Sequence, residues 1–346
     1  MSNLIELKKC SNVQHNEQLL TSANALTKIK GADVQIDNSN TLVFWALEYL
    51  NKRVFGIQAK NTCVAKQNDL QKFFEWFWDM NGTLNIADWL PRDTQAFMDA
   101  LEKEGKAPAT VNRYLATLRH FSRWVCDRGD SPFEAGNPCA GIRELEIVEP
   151  PAKKITQREL TRLFKAADKL VAVKARKNAR PSRDRAILAI AYHTGLRASE
   201  ICALQIDQYI TPHFVNVRRK GISRTPQVYV STKAREMLDH YIKEERGPDA
   251  EKMGDNTLFL SAMGKPLDRQ HLWRVFKRIA DEASAHHEER LKIHPHRLRH
   301  TFGFELRKRT QSDTETAAML GHKSTKYVGR YVRQTDEERK KVLDDL

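Results

Sequence analysis

The chain has 346 residues, with 58 Lys and Arg against 44 Asp and Glu and a net charge of +14, a length that suits about two domains of ~150 residues. Its 40% hydrophobic and 29% charged make-up is globular, and the longest apolar run, Ala186 to Tyr192, is far short of the ~20 residues that a bilayer span needs. Five scattered cysteines (Cys10, Cys63, Cys126, Cys139 and Cys202), odd in number and without a CxxC pair, exclude a disulfide framework or a zinc ribbon as the organising principle. No leader peptide is indicated behind Glu6, Lys8 and Lys9, so a cytoplasmic protein is expected.

The charge is unevenly spread. Residues 1–150 carry 17 Lys and Arg against 19 Asp and Glu, whereas residues 151–346 carry 41 against 25. A concentrated basic excess favours a polyanionic partner, because each cation set on a phosphate releases counterions.

In chain order, residues 1–38 show no period and read as an N-terminal extension. Leu70, Phe73, Phe74, Phe77 and Trp78 stand at i, i+3, i+4, i+7 and i+8, the apolar stripe of an amphipathic helix. Trp89 to Leu101, with Pro91 near its start, predicts a shorter helix. Val111, Tyr114, Leu115, Leu118, Phe121 and Val125 repeat the helical stripe, with Gly129 expected as its stop. Residues 39–140 therefore read as a small helical domain whose aromatics form its core rather than base-stacking platforms. Residues 141–154 lack a helical period, contain Pro150-Pro151, and read as a linker.

A second domain, 155–346, is expected to open with a capping box of Thr156 and Glu159. A helix from about Ser182 through the apolar run should end at Gly195. Phe214–Val217 and Gln227–Val230 alternate like strands and flank the polar stretch Arg218 to Pro226, the pattern of a hairpin. Helices follow at roughly 232–246, 268–284, 295–309 and 335–346.

Four short segments carry candidate chemistry: Thr194-Gly195-Leu196-Arg197-Ala198-Ser199-Glu200; Lys220-Gly221 in the hairpin; His294-Pro295-His296-Arg297-Leu298-Arg299-His300-Thr301; and Leu320-Gly321-His322, with Tyr331 nine residues later. Each alone has a plain reading as a helix stop, a solvated charge or a core residue. His294, His296 and His300 have spacing that a metal could use, but no carboxylate or cysteine stands near them in sequence, and no metal site is expected.

Taken together, in this order and spacing, these segments resemble the catalytic signature of the tyrosine recombinases, the superfamily of phage integrases and Xer-type enzymes. The resemblance spans roughly residues 39–346, and Ala109 to Leu115 and Asn137-Pro138 resemble residues of that family's helical core-binding domain. It implies a mainly α fold with a small β-sheet or hairpin in the C-terminal domain, arranged as a two-domain, C-shaped DNA clamp. It also implies a site-specific recombinase working through a 3′-phosphotyrosyl intermediate, with no cofactor. Arg197 and Arg299 would grip the scissile phosphate, a task suited to planar, permanently charged guanidinium groups. Tyr331 would be the nucleophile and Lys220 the acid for the leaving 5′-oxygen. His296 would assist deprotonation of the tyrosine, and His322 would support the phosphate. Glu200 and His300 would orient the site.

Further DNA contacts are expected from Lys60, Lys66, Arg113 and Arg123 in the first domain and from Arg218, Arg219 and Arg224 around the hairpin. Arg219 stands where the family often has Gly, a departure that bears on hairpin geometry. The resemblance further implies duplex DNA with paired half-sites as the partner, and a homotetramer linked through the C-terminal helix; an accessory protein is left open. Two competing readings are a catalytically silent DNA-binding protein and a type IB topoisomerase. All six expected positions being filled argues against the first. The compact layout and the C-terminal helix argue against the second.

Overall fold

The structure, a computed structural model, describes residues 26, 29, 38–148, 154–173, 178–219, 227–321, 324, 325, 328 and 329. The chain divides into two compact units, residues 1–149 and 150–346.

In the first unit, α1 (Leu42–Tyr49) begins where the Thr41 hydroxyl accepts the Phe44 N–H at 3.2 Å, and it runs on as one wider turn through Val54. The long α2 (Lys60–Asn81) ends at Gly82, whose φ of +66° suits glycine. In α3 (Pro91–Lys103), proline fills the first turn and the Asp93 carboxylate accepts the Leu90 N–H at 2.8 Å. The fourth helix, α4, spans Pro108–Cys126. It closes on Asp127 in right-handed backbone, so Gly129 is not its stop. The aromatic stripes meet as predicted in one core. Phe73, Phe74, Phe77, Phe97 and Phe121 are fully buried, with the Phe73 ring 4.8 Å from Trp89 and 5.2 Å from Phe97. Leu26 and Ile29 are buried in that same cluster, so this part of the N-terminal extension belongs to the unit.

The chain beyond α4 returns along it. Asn112 exchanges both amide bonds with the backbone of Leu145, each at 2.8 Å. Arg119 pairs with Glu144 at 2.8 Å and donates to the Ile142 carbonyl. Residues 141–145, expected to be linker, thus form a strap on the first unit. Pro150 and Pro151 lie outside the described residues.

The second unit opens with the expected capping box: Glu159 accepts the Thr156 N–H at 2.7 Å and Thr156 accepts the Glu159 N–H at 3.2 Å. Helix α5 (Gln157–Val173) then leads to α6 (Pro181–Thr194). Residues 186–191 of α6 are all buried. Their unbroken apolar run is explained by neighbours on several sides, since α6 packs against α5, α8 (Thr232–Tyr241) and α11 (Pro295–Thr310). The short α7 (Ala198–Cys202) leads into a three-stranded antiparallel sheet of β1 (Tyr209–Ile210), β2 (His213–Phe214) and β3 (Val228–Tyr229), with Phe214 opposite Val228. The predicted hairpin pair is β2–β3; β1 was not anticipated. A short α9 (Gly247–Ala250), α10 (Arg269–Ser284) and α12 (Asp313–Leu320) complete the unit. The last was missed, although Ser312 and Glu315 carry a capping signature, Ser312 accepting the Glu315 N–H at 3.2 Å. The helix expected at 335–346 lies outside the described residues.

The start of α6 is held by buried charge. Glu245 accepts the N–H groups of Ser182 and Arg183 at 3.1 and 3.0 Å. Asp184, 2% exposed, accepts from Arg183 at 3.0 and 2.7 Å and from Arg278. Breaking a buried ion pair from one side leaves the other charge uncompensated. Asp184→Ala is therefore expected to lower the stability of the second unit by about 3–5 kcal/mol in a urea titration. A loss under ~1 kcal/mol would place the pair among exposed bridges of little worth.

Candidate active site

Three of the motif residues converge in the second unit through backbone ties. Helix α6 ends at Gly195, with φ +60°, and a Cβ there would meet the Phe302 ring at 2.4 Å and Leu320 at 3.2 Å. Only glycine fits this turn, which hands the chain to Arg197 at the start of α7. Glu200, one turn on and buried, accepts the Arg197 N–H at 2.9 Å and its Nη1 at 2.8 Å. That pair holds Arg197 at its backbone and at one guanidinium nitrogen while a quarter of the side chain stays accessible.

Arg299 comes from α11 and is buried. Its guanidinium donates through Nη1 to the Gly195 carbonyl and through Nη2 to the Leu320 carbonyl at 2.7 Å. One planar fork thereby joins the end of α6 to the end of α12, the two turns that precede Arg197 and His322. His296 lies on an exposed position of the same helix, one turn before Arg299. Partial desolvation first, then the positive charges of His294, Arg299 and Arg197, hold its imidazole below the ordinary histidine value. His300, one turn after His296, is half-buried. His294 caps α11, its Nδ1 accepting the Arg297 N–H at 3.3 Å.

The remaining expected residues fall differently. Lys220, Arg224, His322 and Tyr331 lie outside the described residues, as does Tyr327, a second tyrosine five residues after His322. Arg218 is exposed. Arg219, expected as a surface cation for DNA, is instead only 3% exposed and donates from Nη1 to the Met319 carbonyl at 2.9 Å. Its side chain turns inward because α12 offers a carbonyl and the next residue, Gly321, leaves room. Burial lowers its pKa, Glu200 partly offsets the fall, and Arg197 adds to it.

In the first unit, Lys60 and Arg123 are exposed. Lys66 donates to the Tyr49 hydroxyl at 2.9 Å, and burial pulls its amine below the ordinary value. Arg113 pairs with the buried Asp69 and lies 4.6 Å from the Tyr114 ring. The exposed His120 was not anticipated. Burial and the nearby Lys66 and Arg123 charges lower its pKa, which places three basic groups of α2 and α4 together. Among the described residues, no group of three His, Cys, Asp or Glu is placed to hold a metal ion, and no helix is long and apolar enough to cross a membrane.

Comparisons with known proteins bear on both units. A model described as the phage integrase family matches residues 153–338, and one described as the phage integrase N-terminal SAM-like domain matches residues 49–129. Among curated relatives, tyrosine recombinase XerD of Listeria innocua is 29% identical over 265 residues, covering 76% of this chain and 84% of that protein. Tyrosine recombinase XerC of Oceanobacillus iheyensis is 28% identical over 274 residues, covering 78% and 85%. Among solved structures, the Tn1549 transposon integrase in complex with circular intermediate DNA superposes with a TM-score of 0.65 at 19% identity, covering 86% of this chain and 97% of that one. A lambda integrase tetramer bound to a Holliday junction gives 0.63 at 19% identity, covering 94% and 90%. Both likenesses concern the fold.

Proposed function

Because the chain belongs to the phage integrase family, whose model covers more than half of it, we propose that it is a site-specific DNA recombinase that cuts and rejoins duplex DNA. The observation that carries this reading is the tie of Arg299 to the carbonyls of Gly195 and Leu320 beside the Arg197–Glu200 pair. The charges of both arginines act on the His296 imidazole, which supports the reading, since such a group of charges suits a phosphodiester whose oxygens gain charge in the transition state.

In the proposed reaction the Tyr331 oxygen attacks the scissile phosphorus, a P–O bond to tyrosine forms, and the bond to the 5′-oxygen breaks. His296 takes up the phenol proton, and Lys220 delivers a proton to the departing 5′-oxygen. Arg197 and Arg299 hold the phosphoryl oxygens, and Glu200 keeps Arg197 oriented. His322 supports the phosphate, and His300 supports the helix face that carries His296. The phosphotyrosyl link conserves the bond, so a 5′-hydroxyl from a partner strand can attack it, giving a Holliday junction without external energy. The partner is duplex DNA with paired half-sites, engaged as a tetramer through residues 336–346 in the cytoplasm, on the nucleoid. An accessory protein is open to test in the same assay.

The test is covalent capture. Wild-type protein incubated with sheared DNA of the replicon that encodes it should give an adduct stable to SDS, with phosphotyrosine in the peptide containing Tyr331. No adduct would leave a DNA-binding protein without chemistry, and relaxation of any supercoiled plasmid irrespective of sequence would favour a topoisomerase.

A pH profile checks His296. A histidine with a lowered pKa stays neutral, and able to accept a proton, further into acid than a free one. The acid limb of single-turnover adduct formation is therefore expected below pH ~6.5 and should vanish in His296→Gln. A wild-type limb above that value would count against the assignment.

A further inference from the structure

We propose that Arg219 is a positioning residue that pins the segment leading into Lys220 to the turn leading into His322. The proposal rests on the reading of Lys220 as the acid for the leaving oxygen.

Four observations support it. Arg219 is only 3% exposed, so its guanidinium is held inside the second unit. Its Nη1 donates to the Met319 carbonyl at 2.9 Å, across 100 residues of sequence. A Cβ on Gly321 would lie 2.5 Å from Arg219 Nη1 and 2.6 Å from its Cδ, so the glycine before His322 is needed for the room it leaves as well as for its φ of +64°. Finally, the charges of Glu200 and Arg197 both act on the Arg219 guanidinium.

One side chain therefore touches the end of α12, crowds the turn after it, and lies within electrostatic reach of the Arg197–Glu200 pair. The peptide link places Lys220 a single ~3.8 Å step from it. Arg219 acts through its neighbours and is not itself assigned a contact with the phosphate.

The experiment compares two substrates carrying the site mapped by covalent capture. One has the ordinary scissile phosphodiester; the other has sulfur in place of the bridging 5′-oxygen. A thiol is acidic near pH ~8.5, so its thiolate leaves without a proton donor and cleavage no longer depends on Lys220. Lys220→Ala should be slow on the oxygen substrate and restored on the sulfur one.

Arg219→Met keeps the apolar stem and removes the donor. It should cleave the oxygen substrate about 10–100-fold more slowly, the scale of a misplacement near 1 Å. DNA binding should be unchanged, and sulfur should recover most of the rate. Arg219→Lys, retaining a donor for the Met319 carbonyl, should fall between. Equal losses on both substrates, or no loss on either, overturn the proposal. If Arg219→Met is poorly folded, the same comparison in Arg219→Lys decides, with sulfur recovery supporting it and its absence overturning it. Failure of sulfur to restore Lys220→Ala would remove the reading of Lys220 and the proposal with it, whereas recovery there but not in Arg219 variants sinks the proposal alone.

Discussion

Tyr331→Phe is expected to abolish the covalent adduct while leaving DNA affinity within about twofold of wild type, since the phenol adds no charge to the salt-dependent phosphate contacts. Phenylalanine keeps the ring and removes the only atom that can bond to phosphorus. Nothing else in the proposed site replaces a nucleophile whose product preserves the phosphodiester energy. Strand cleavage should fall by on the order of 10⁴-fold or more, as when other covalent enzymes lose theirs. Tyr327, five residues after His322 rather than nine, serves as the internal control, and Tyr327→Phe should still form the adduct. Adduct formation by Tyr331→Phe with none by Tyr327→Phe would exchange the two assignments. Denaturing gels of a mapped duplex nicked next to the scissile phosphate, which traps the adduct, give both answers.

Arg299→Met should damage chemistry and folding together. Removing a preorganised donor at developing charge costs on the order of 10²–10³-fold in rate. The carbonyls of Gly195 and Leu320 also lose their buried partner, and each unsatisfied group costs about 1–3 kcal/mol. A single-turnover rate and a thermal melt should both fall. Arg299→Lys should rescue little of either, because a point charge cannot span two carbonyls as the planar fork does. A variant melting like the wild type with only its rate reduced would show that the carbonyl ties carry no stability.

Much of this was legible in the sequence where a pattern repeats or a motif has fixed spacing. The stripes around Phe73 and Phe121 announced the first core, and the Thr156–Glu159 box and Gly195 announced two helix ends. What stayed hidden depends on partners far along the chain. Arg219 was read as a surface cation because charge says nothing of where a side chain on an irregular segment turns, and the carbonyl it reaches is on Met319. Leu26 and Ile29 are isolated apolar residues without a period, so nothing local marks them as core. The strap at Leu145 depends on Asn112, a polar residue on an otherwise ordinary helix. Gly129 misled because the preceding helix had already closed on Asp127 without a left-handed turn.

The end of the described chain has an apolar cluster of its own. Leu306, Ala317, Leu320 and Val328, with Phe302 and Phe304, form a small group distinct from the main core of the second unit. Arg299 and Arg219 fasten the end of α12 to that larger body through the Leu320 and Met319 carbonyls. Among the described residues this group is small, and a segment that buries little apolar surface is expected to open as a cooperative piece before global unfolding. Weakening either arginine would then divide the molecules into assembled and open populations. In a rapid-quench experiment the loss would register in the fraction of protein that reacts, beside any change in how fast that fraction does so.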